Sequence, residues 1–225
     1  RIGVGAEVTH VIVKFSGNDD SEGTRRWSDL LVCEHLAAKL APGLLPGMRA
    51  STSTIHQAAG RPFLEVERFD RPRRHGRSGL LSLHALNAAL VGSNRAPWPA
   101  TVQRLDNLGL MQPAVVAQSA ALWHFGKLIA NEDMHEGNLS FQPAAPGQAG
   151  LRLAPVYDML PMLYAPARGV EVAPRRFEPA LPLPGETKTW LRAAHVALEF
   201  WRWASGDERI STGFRAIWAH KARRI

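Results

Sequence analysis

The sequence predicts an α+β fold of two unequal lobes, a small β-containing lobe followed by a larger helical one. Up to about residue 70 the pattern runs strand, helix, strand, strand, and after the basic run RPRRHGRSG the long apolar segments have helical spacing. Size agrees, because 225 residues with 45% hydrophobic content can build two small lobes that share a cleft.

Residues 8–15 (VTHVIVKF) alternate and are rich in β-branched side chains, which predicts a strand. SGNDDSEGT, residues 16–24, reads as a polar loop. Residues 27–40 place apolar side chains at helical spacing and stop at Pro42-Gly43. Residues 49–56 and 61–69 read as two strands joined at Gly60. Helices are expected over 81–90, 100–110 and 113–130, the last with a buried stripe of Val115, Leu122, Phe125 and Ile129. Residues 139–141 and 151–153 make a small hairpin, 165–187 is irregular and proline-rich, and 188–205 and 207–224 close the chain as helices. The expected lobes are therefore 1–70 and 71–225.

Composition narrows the function. A net charge of +7 favours acidic partners such as nucleotides, nucleic acid or an acidic protein face without choosing among them. Cys33 is the single cysteine, so no disulfide forms within the chain and a reducing, cytoplasmic compartment is expected. No apolar run is long enough for a membrane span.

The chemistry-bearing residues concentrate in LIANEDMHEGNLSF. A helix ends, a polar loop carries Asp133 and Asn138 five positions apart, and a short strand follows; Asp158 lies twenty further on in LAPVYDML. Phosphoryl transfer needs one Asp to orient the attacking hydroxyl, an Asn and a second Asp to hold Mg²⁺, and a strand-borne Lys to grip phosphate oxygens. Lys14, Asp133, Asn138 and Asp158 supply those parts in order, and hard oxygen ligands suit Mg²⁺. Taken singly, a lysine at a strand end is usually surface, and a loop Asp or Asn usually caps a turn. The combination carries the reading.

NEDMHEGN resembles the catalytic loop of the HipA-type serine/threonine kinases, with its D-x-H-x-x-N core. LAPVYDML resembles that family's metal-binding segment, LEVERFDR its hinge, VIVKF its nucleotide-binding lysine strand and RWSDLLVCEHLAAKL its first long helix. With SLHALNAALVGS, these details are most similar to the YjjJ-like branch. The resemblance covers residues 11 to about 165. It implies a protein-kinase-like two-lobed fold and an ATP- and Mg²⁺-dependent serine/threonine kinase of bacterial toxin type. Asp133 would orient the substrate hydroxyl, Asn138 and Asp158 would hold Mg²⁺, and Lys14 would pair with phosphate. His135 and Tyr157 would lie beside nucleotide and metal, and Glu67 and Phe69, with Arg68 between, would meet adenine. A protein substrate is implied, with the translation machinery as a target class, and a DNA-binding antitoxin is a partner of some members.

The sequence departs from the family pattern twice. The carboxylate that should pair with Lys14 is not at its usual position; Asp29 and Glu34 are the candidates, and the longer reach of Glu34 favours it. The family's Gly/Ser-rich phosphate loop is missing from RIGVGAEVTH, while GNDDSEG follows Lys14 and is acidic. The chain is therefore expected to be truncated at its N-terminus, with the loop in a preceding segment, or else to bind ATP poorly.

Other readings have less behind them. A lone cysteine and no HExxH argue against zinc, and no G-x-S-x-G elbow supports a hydrolase. Phe200, Trp201 and Trp203 read as core or interface. Arg71 to Arg77 could touch nucleic acid or serve as an exposed connection. The rival functions are a non-catalytic kinase-like binding module and a metal-dependent nuclease using Asp133 and Asp158.

Overall fold

The computed structural model describes residues 8–72, 74–94, 96–167 and 171–219. RIGVGAE, Arg73 of the basic run and the chain beyond residue 219 lie outside the described residues, so the phosphate-loop expectation falls where nothing is described.

Strand β1 (Val11–Phe15) pairs antiparallel with β3 (Arg61–Glu67), which pairs antiparallel with β2 (Ser53–Ala58), giving the order β1-β3-β2. The β2–β3 turn is tight because Ala59 and Gly60 both take positive φ, 49° and 73°, the two-residue turn whose twist matches the strands it joins. Lys14 faces Leu64 across the ladder, and that register fixes where its side chain leaves the sheet.

Helix α1 (Glu22–Leu40) starts five residues before the expected Trp27. Ser21 is the reason. Its hydroxyl accepts from Thr24 N at 3.2 Å, and Glu22 and Lys39 complement the helix dipole at the two ends. Most of α1 is buried, since it packs on all three strands and also on the last long helix.

The expected strand over 49–56 divides. Residues 49–51 leave the sheet and run beside the Asp158 segment: Val156 N donates to Arg49 O at 2.8 Å and Ser51 N to Val156 O at 2.9 Å. Only from Ser53 does the chain join the sheet. A second sheet has the order β4-β5-β6 (Leu81–Ser82, Ser140–Pro143, Leu151–Leu153), which contains the expected hairpin. The helix expected over 81–90 is mostly something else. Leu81 and Ser82 pair with Phe141 and Ser140, and Ser82 caps the short α2 (Leu83–Leu86). A π turn (Asn87–Val91) follows and ends at Gly92 with φ 68°. The second-sheet ladder captures residues whose apolar spacing alone looks helical.

The helical body comprises α3 (Trp98–Asn107), α4 (Val115–Leu128), α5 (Thr187–Gly206) and α6 (Thr212–Ala219). The expected stripe Val115, Leu122, Phe125 and Ile129 is at most 2% exposed. Phe125 meets Phe200 edge-on at 6.3 Å, and Trp201 Nε1 donates to Leu128 O at 3.1 Å, so α4 and α5 form the centre. Phe200 and Trp201 are core; Trp203 is 44% exposed. The helix expected from 207 begins at Thr212 because Asp207 and Ser211 fold a turn first. One apolar core runs from Leu30 in α1 to Phe214 in α6. Among the described residues no helix is long and apolar enough to cross a membrane.

Candidate active site

Lys14 is held by two carboxylates from distant parts of the chain. Its Nζ donates to Glu34 at 2.8 and 2.9 Å and to Asp158 Oδ1 at 2.7 Å. Burial alone pulls the ammonium down, but the two negative charges and their hydrogen bonds outweigh it, and its pKa is raised. Burial pushes the Glu34 carboxyl up against the opposing pull of Lys14. Asp29 has a different task one and a half turns earlier. Its carboxylate accepts from Ser211 N at 2.7 Å and Ser211 Oγ at 2.6 Å, while Arg26, on the same helix, lies over the Phe214 ring at 4.1 Å. So α1 is fastened to α6 by Asp29, and Glu34 is left to face Lys14.

The loop after α4 is shaped by its own polar groups. Ala130 takes φ 60°, and Asn131 Oδ1 then accepts from Asp133 N at 3.0 Å, an Asx turn. Asn138 Nδ2 donates to Asp133 O at 2.8 Å, which closes residues 133–138 on themselves and leaves the amide oxygen without a partner among the described residues. His135 Nδ1 accepts from Gly137 N at 3.0 Å, and a Cβ on Gly137 would lie 2.8 Å from that ring. His135 Nε2 is 3.9 Å from Asp133 Oδ1. Asp158 itself has φ 57°, so both chemistry-bearing segments contain a non-glycine residue in the left-handed region.

Tyr157 links the pieces. Its hydroxyl donates to Gly137 O at 2.9 Å and shares a 2.7 Å hydrogen bond with Ser140 Oγ; burial raises its pKa. Its ring lies 5.9 Å from that of Phe69. Glu67, Arg68 and Phe69 line a cavity of about 590 Å³ together with Arg49, Arg71 and Arg74. Within that trio, Glu67 N donates to Thr52 O and Arg68 N to His10 O, and the Arg68 side chain is clasped by Asp70. The structure thus brings Lys14 and Asp158 into contact, ties Asp133 to Asn138, and sets the Glu67–Phe69 segment alongside through Tyr157.

Sequence reasoning missed the support beneath the loop. Asn87 Nδ2 donates to both Glu136 oxygens at 2.9 Å, Thr101 Oγ1 adds 3.3 Å, and Ser93 completes the set through Asn87 Oδ1. Asn131 was also missed, although Asn-x-Asp after a helix is an Asx-turn pattern.

The donor set fits a magnesium ion. Asp158 keeps a carboxylate oxygen beyond the one on Lys14, Asn138 keeps its amide oxygen, and Mg²⁺ commonly takes one or two protein oxygens with the rest from phosphates and water.

A family model for the HipA-like C-terminal domain matches residues 3–222. The chain belongs to the HipA C-terminal family. It is 40% identical to Toxin YjjJ of Escherichia coli K12 over 209 residues, which is 92% of this chain and 46% of that protein. The HipA-family chain thus spans about half the length of the curated relative it matches. Among solved structures, it is similar to HipA of Shewanella oneidensis MR-1, determined in complex with HipB and operator DNA. The TM-score there is 0.57, with 17% identity, over 95% of this chain and 56% of that one. It is also similar to the proinflammatory kinase CtkA of Helicobacter pylori, with a TM-score of 0.59 and 12% identity over 94% of this chain and 84% of that one. The fold of this HipA-family chain is therefore kinase-like.

Proposed function

We propose that this chain is the catalytic part of a Mg²⁺- and ATP-dependent serine/threonine protein kinase. The observation that carries the reading is the three-way contact of Lys14 with Glu34 and Asp158. A lysine on a strand, a carboxylate from the next helix and an aspartate from a later segment are what a phosphate-gripping lysine beside a metal site requires. Magnesium bound by Asp158 and Asn138 would neutralise charge on the phosphates of ATP. Lys14 would bind phosphate oxygens, with Glu34 keeping the ammonium aimed. Asp133, held by Asn131 and Asn138, would orient the serine or threonine hydroxyl and accept its proton. His135 and Tyr157 would border the nucleotide, with Glu67, Arg68 and Phe69 at its adenine end. The two lobes would divide near residue 70. The substrate we propose is a protein, with the translation machinery as the target class, in a bacterial cytoplasm. A DNA-binding antitoxin is the proposed partner, by analogy with the Shewanella complex.

Calorimetry of Mg-ATP with the parent chain and with Asp158→Ala tests the site. Binding that requires Mg²⁺ and disappears in the variant is expected. Asp133→Asn should keep binding but lose transfer of labelled phosphate by roughly 100- to 10,000-fold. Binding that ignores both Mg²⁺ and Asp158 would overturn the reading, and no binding either by this chain or by the full-length protein would leave a kinase-like module that recognises a partner.

A further inference from the structure

A groove of about 890 Å³ lies between α4 and the proline-rich segment 174–186. One part of its wall is Ala130, Asn131 and Glu132, so the groove adjoins the loop that presents Asp133. Trp123 from α4 and Trp190 from α5 line it too. The far wall is unusual. Leu181 and Leu183 are 82% and 67% exposed, the highest values of any large apolar side chain among the described residues. Exposed leucines placed singly need no explanation, but two together on the edge of a groove indicate a surface that something covers.

The segment that carries them is built to keep them there. Pro179, Pro182 and Pro184 fix the backbone around both leucines. Trp190 Nε1 donates to Ala180 O at 3.1 Å and Leu183 N to Glu186 Oε2 at 3.0 Å. His124 on α4 sits 3.9 Å from the same Glu186 oxygen. The strap is therefore anchored to the start of α5 before anything binds, which reduces the ordering that binding would otherwise require. Charge on the groove has both signs, with Lys127 lying 5.1 Å above the Trp123 ring and Glu132 close by in the wall. Apolar contact is left as the selecting interaction.

Resting on the kinase reading above, we propose that this groove takes an extended segment of the protein substrate. It seats a bulky aliphatic or aromatic residue flanking the acceptor serine or threonine against Leu181 and Leu183. Glu132 in the groove wall is the residue next to Asp133, so a chain whose hydroxyl reaches Asp133 has the groove one residue away along the loop.

The test has two arms. In the first, a positional-scanning library of peptides with one central serine is incubated with the chain and Mg-ATP; leucine, methionine or phenylalanine near the serine should be selected over aspartate and lysine. In the second, tryptophan fluorescence follows a leucine-flanked, serine-containing peptide binding without nucleotide. Leu181→Ser/Leu183→Ser should weaken that binding about tenfold or more, the effect of two lost leucine contacts. Both positions are exposed, so the variant should keep the parent's thermal midpoint. Unchanged peptide affinity in the double variant, or selection of charged flanking residues, would overturn the proposal. Peptide binding that depends on the two leucines in a full-length protein that transfers no phosphate would sustain the groove and sink the kinase reading instead.

Discussion

In β1 every residue except Lys14 is exposed, whereas α4 buries Val115, Ala121, Leu122, Phe125 and Leu128 together. Yet both border the candidate site, β1 through Lys14 and α4 through the loop that follows it. The helical body is rigid because it is packed; the sheet is held by its ladder, by α1, and by the carboxylates that meet Lys14. Substitutions in the two regions should therefore fail differently, one by unfolding the chain and the other by misplacing a charge.

The largest effect is expected from Phe125→Ala, at the α4–α5 centre. Truncating a fully buried ring costs about 3–5 kcal/mol, and denaturant unfolding should show it as a lowered midpoint. A loss below about 1 kcal/mol would mean that stability is shared more evenly than this contrast implies.

The seam between the regions is pH-sensitive. His35 Nδ1 meets Ser53 Oγ at 2.9 Å, tying α1 to β2, and burial lowers its pKa from 6.5 to about 4, with Lys39 and Arg209 adding and Asp207 opposing. In the fold His35 stays neutral where the unfolded chain would take up a proton. Its stabilisation is complete above about pH 6.5 and is lost as pH falls towards 4. That loss is of the order of 2–3 kcal/mol. Thermal midpoints across that range should fall, and His35→Gln should flatten the slope.

Lys14→Ala should be milder, about 1–2 kcal/mol, because it strands the buried Glu34 carboxylate. Adding Glu34→Gln should restore more than half of it, since the stranded charge goes. A double variant less stable than the single would show that Glu34 is held by something other than Lys14. The smallest effect is Ile12→Thr on β1, where 48% exposure limits the change to about 0.5 kcal/mol. A larger value there would contradict the view of β1 as lightly packed.

How much of this was legible depends on whether the information was local. Lys14, Asp133, Asn138 and Asp158 could be put forward because each proposed role demands one residue type within a short motif, and the structure brings Lys14 to Asp158 and Asn138 to Asp133. The strands around Gly60, the α4 stripe and the small hairpin were readable from periodicity and turn chemistry. The choice of Glu34 over Asp29 rested on reach alone, because a helical wheel does not say which neighbour waits on each face. Asp29 turned out to be engaged by Ser211 and Glu34 by Lys14. The Asn87–Glu136 contact joins residues 49 apart, and the two-residue strand Leu81–Ser82 is too short to show a period. Ser21 gave a signal that went unread, a capping serine ahead of Glu22 that begins the helix in what looked like loop.

The Asp29–Ser211 contact sets an order of events as the chain is made. Lys14, Glu34, Asp133 and Asp158 all leave the ribosome before Ser211 does, yet α1 gains its α6 anchor only when that serine arrives, 182 residues after Asp29. Until then α1 has its packing on the strands and α5 but lacks the fastening at Asp29. The seating of α1 is thereby coupled to a residue far along the chain, so the turn that opens the last short helix reaches the Lys14 contact from a distance as well as adding to the packing.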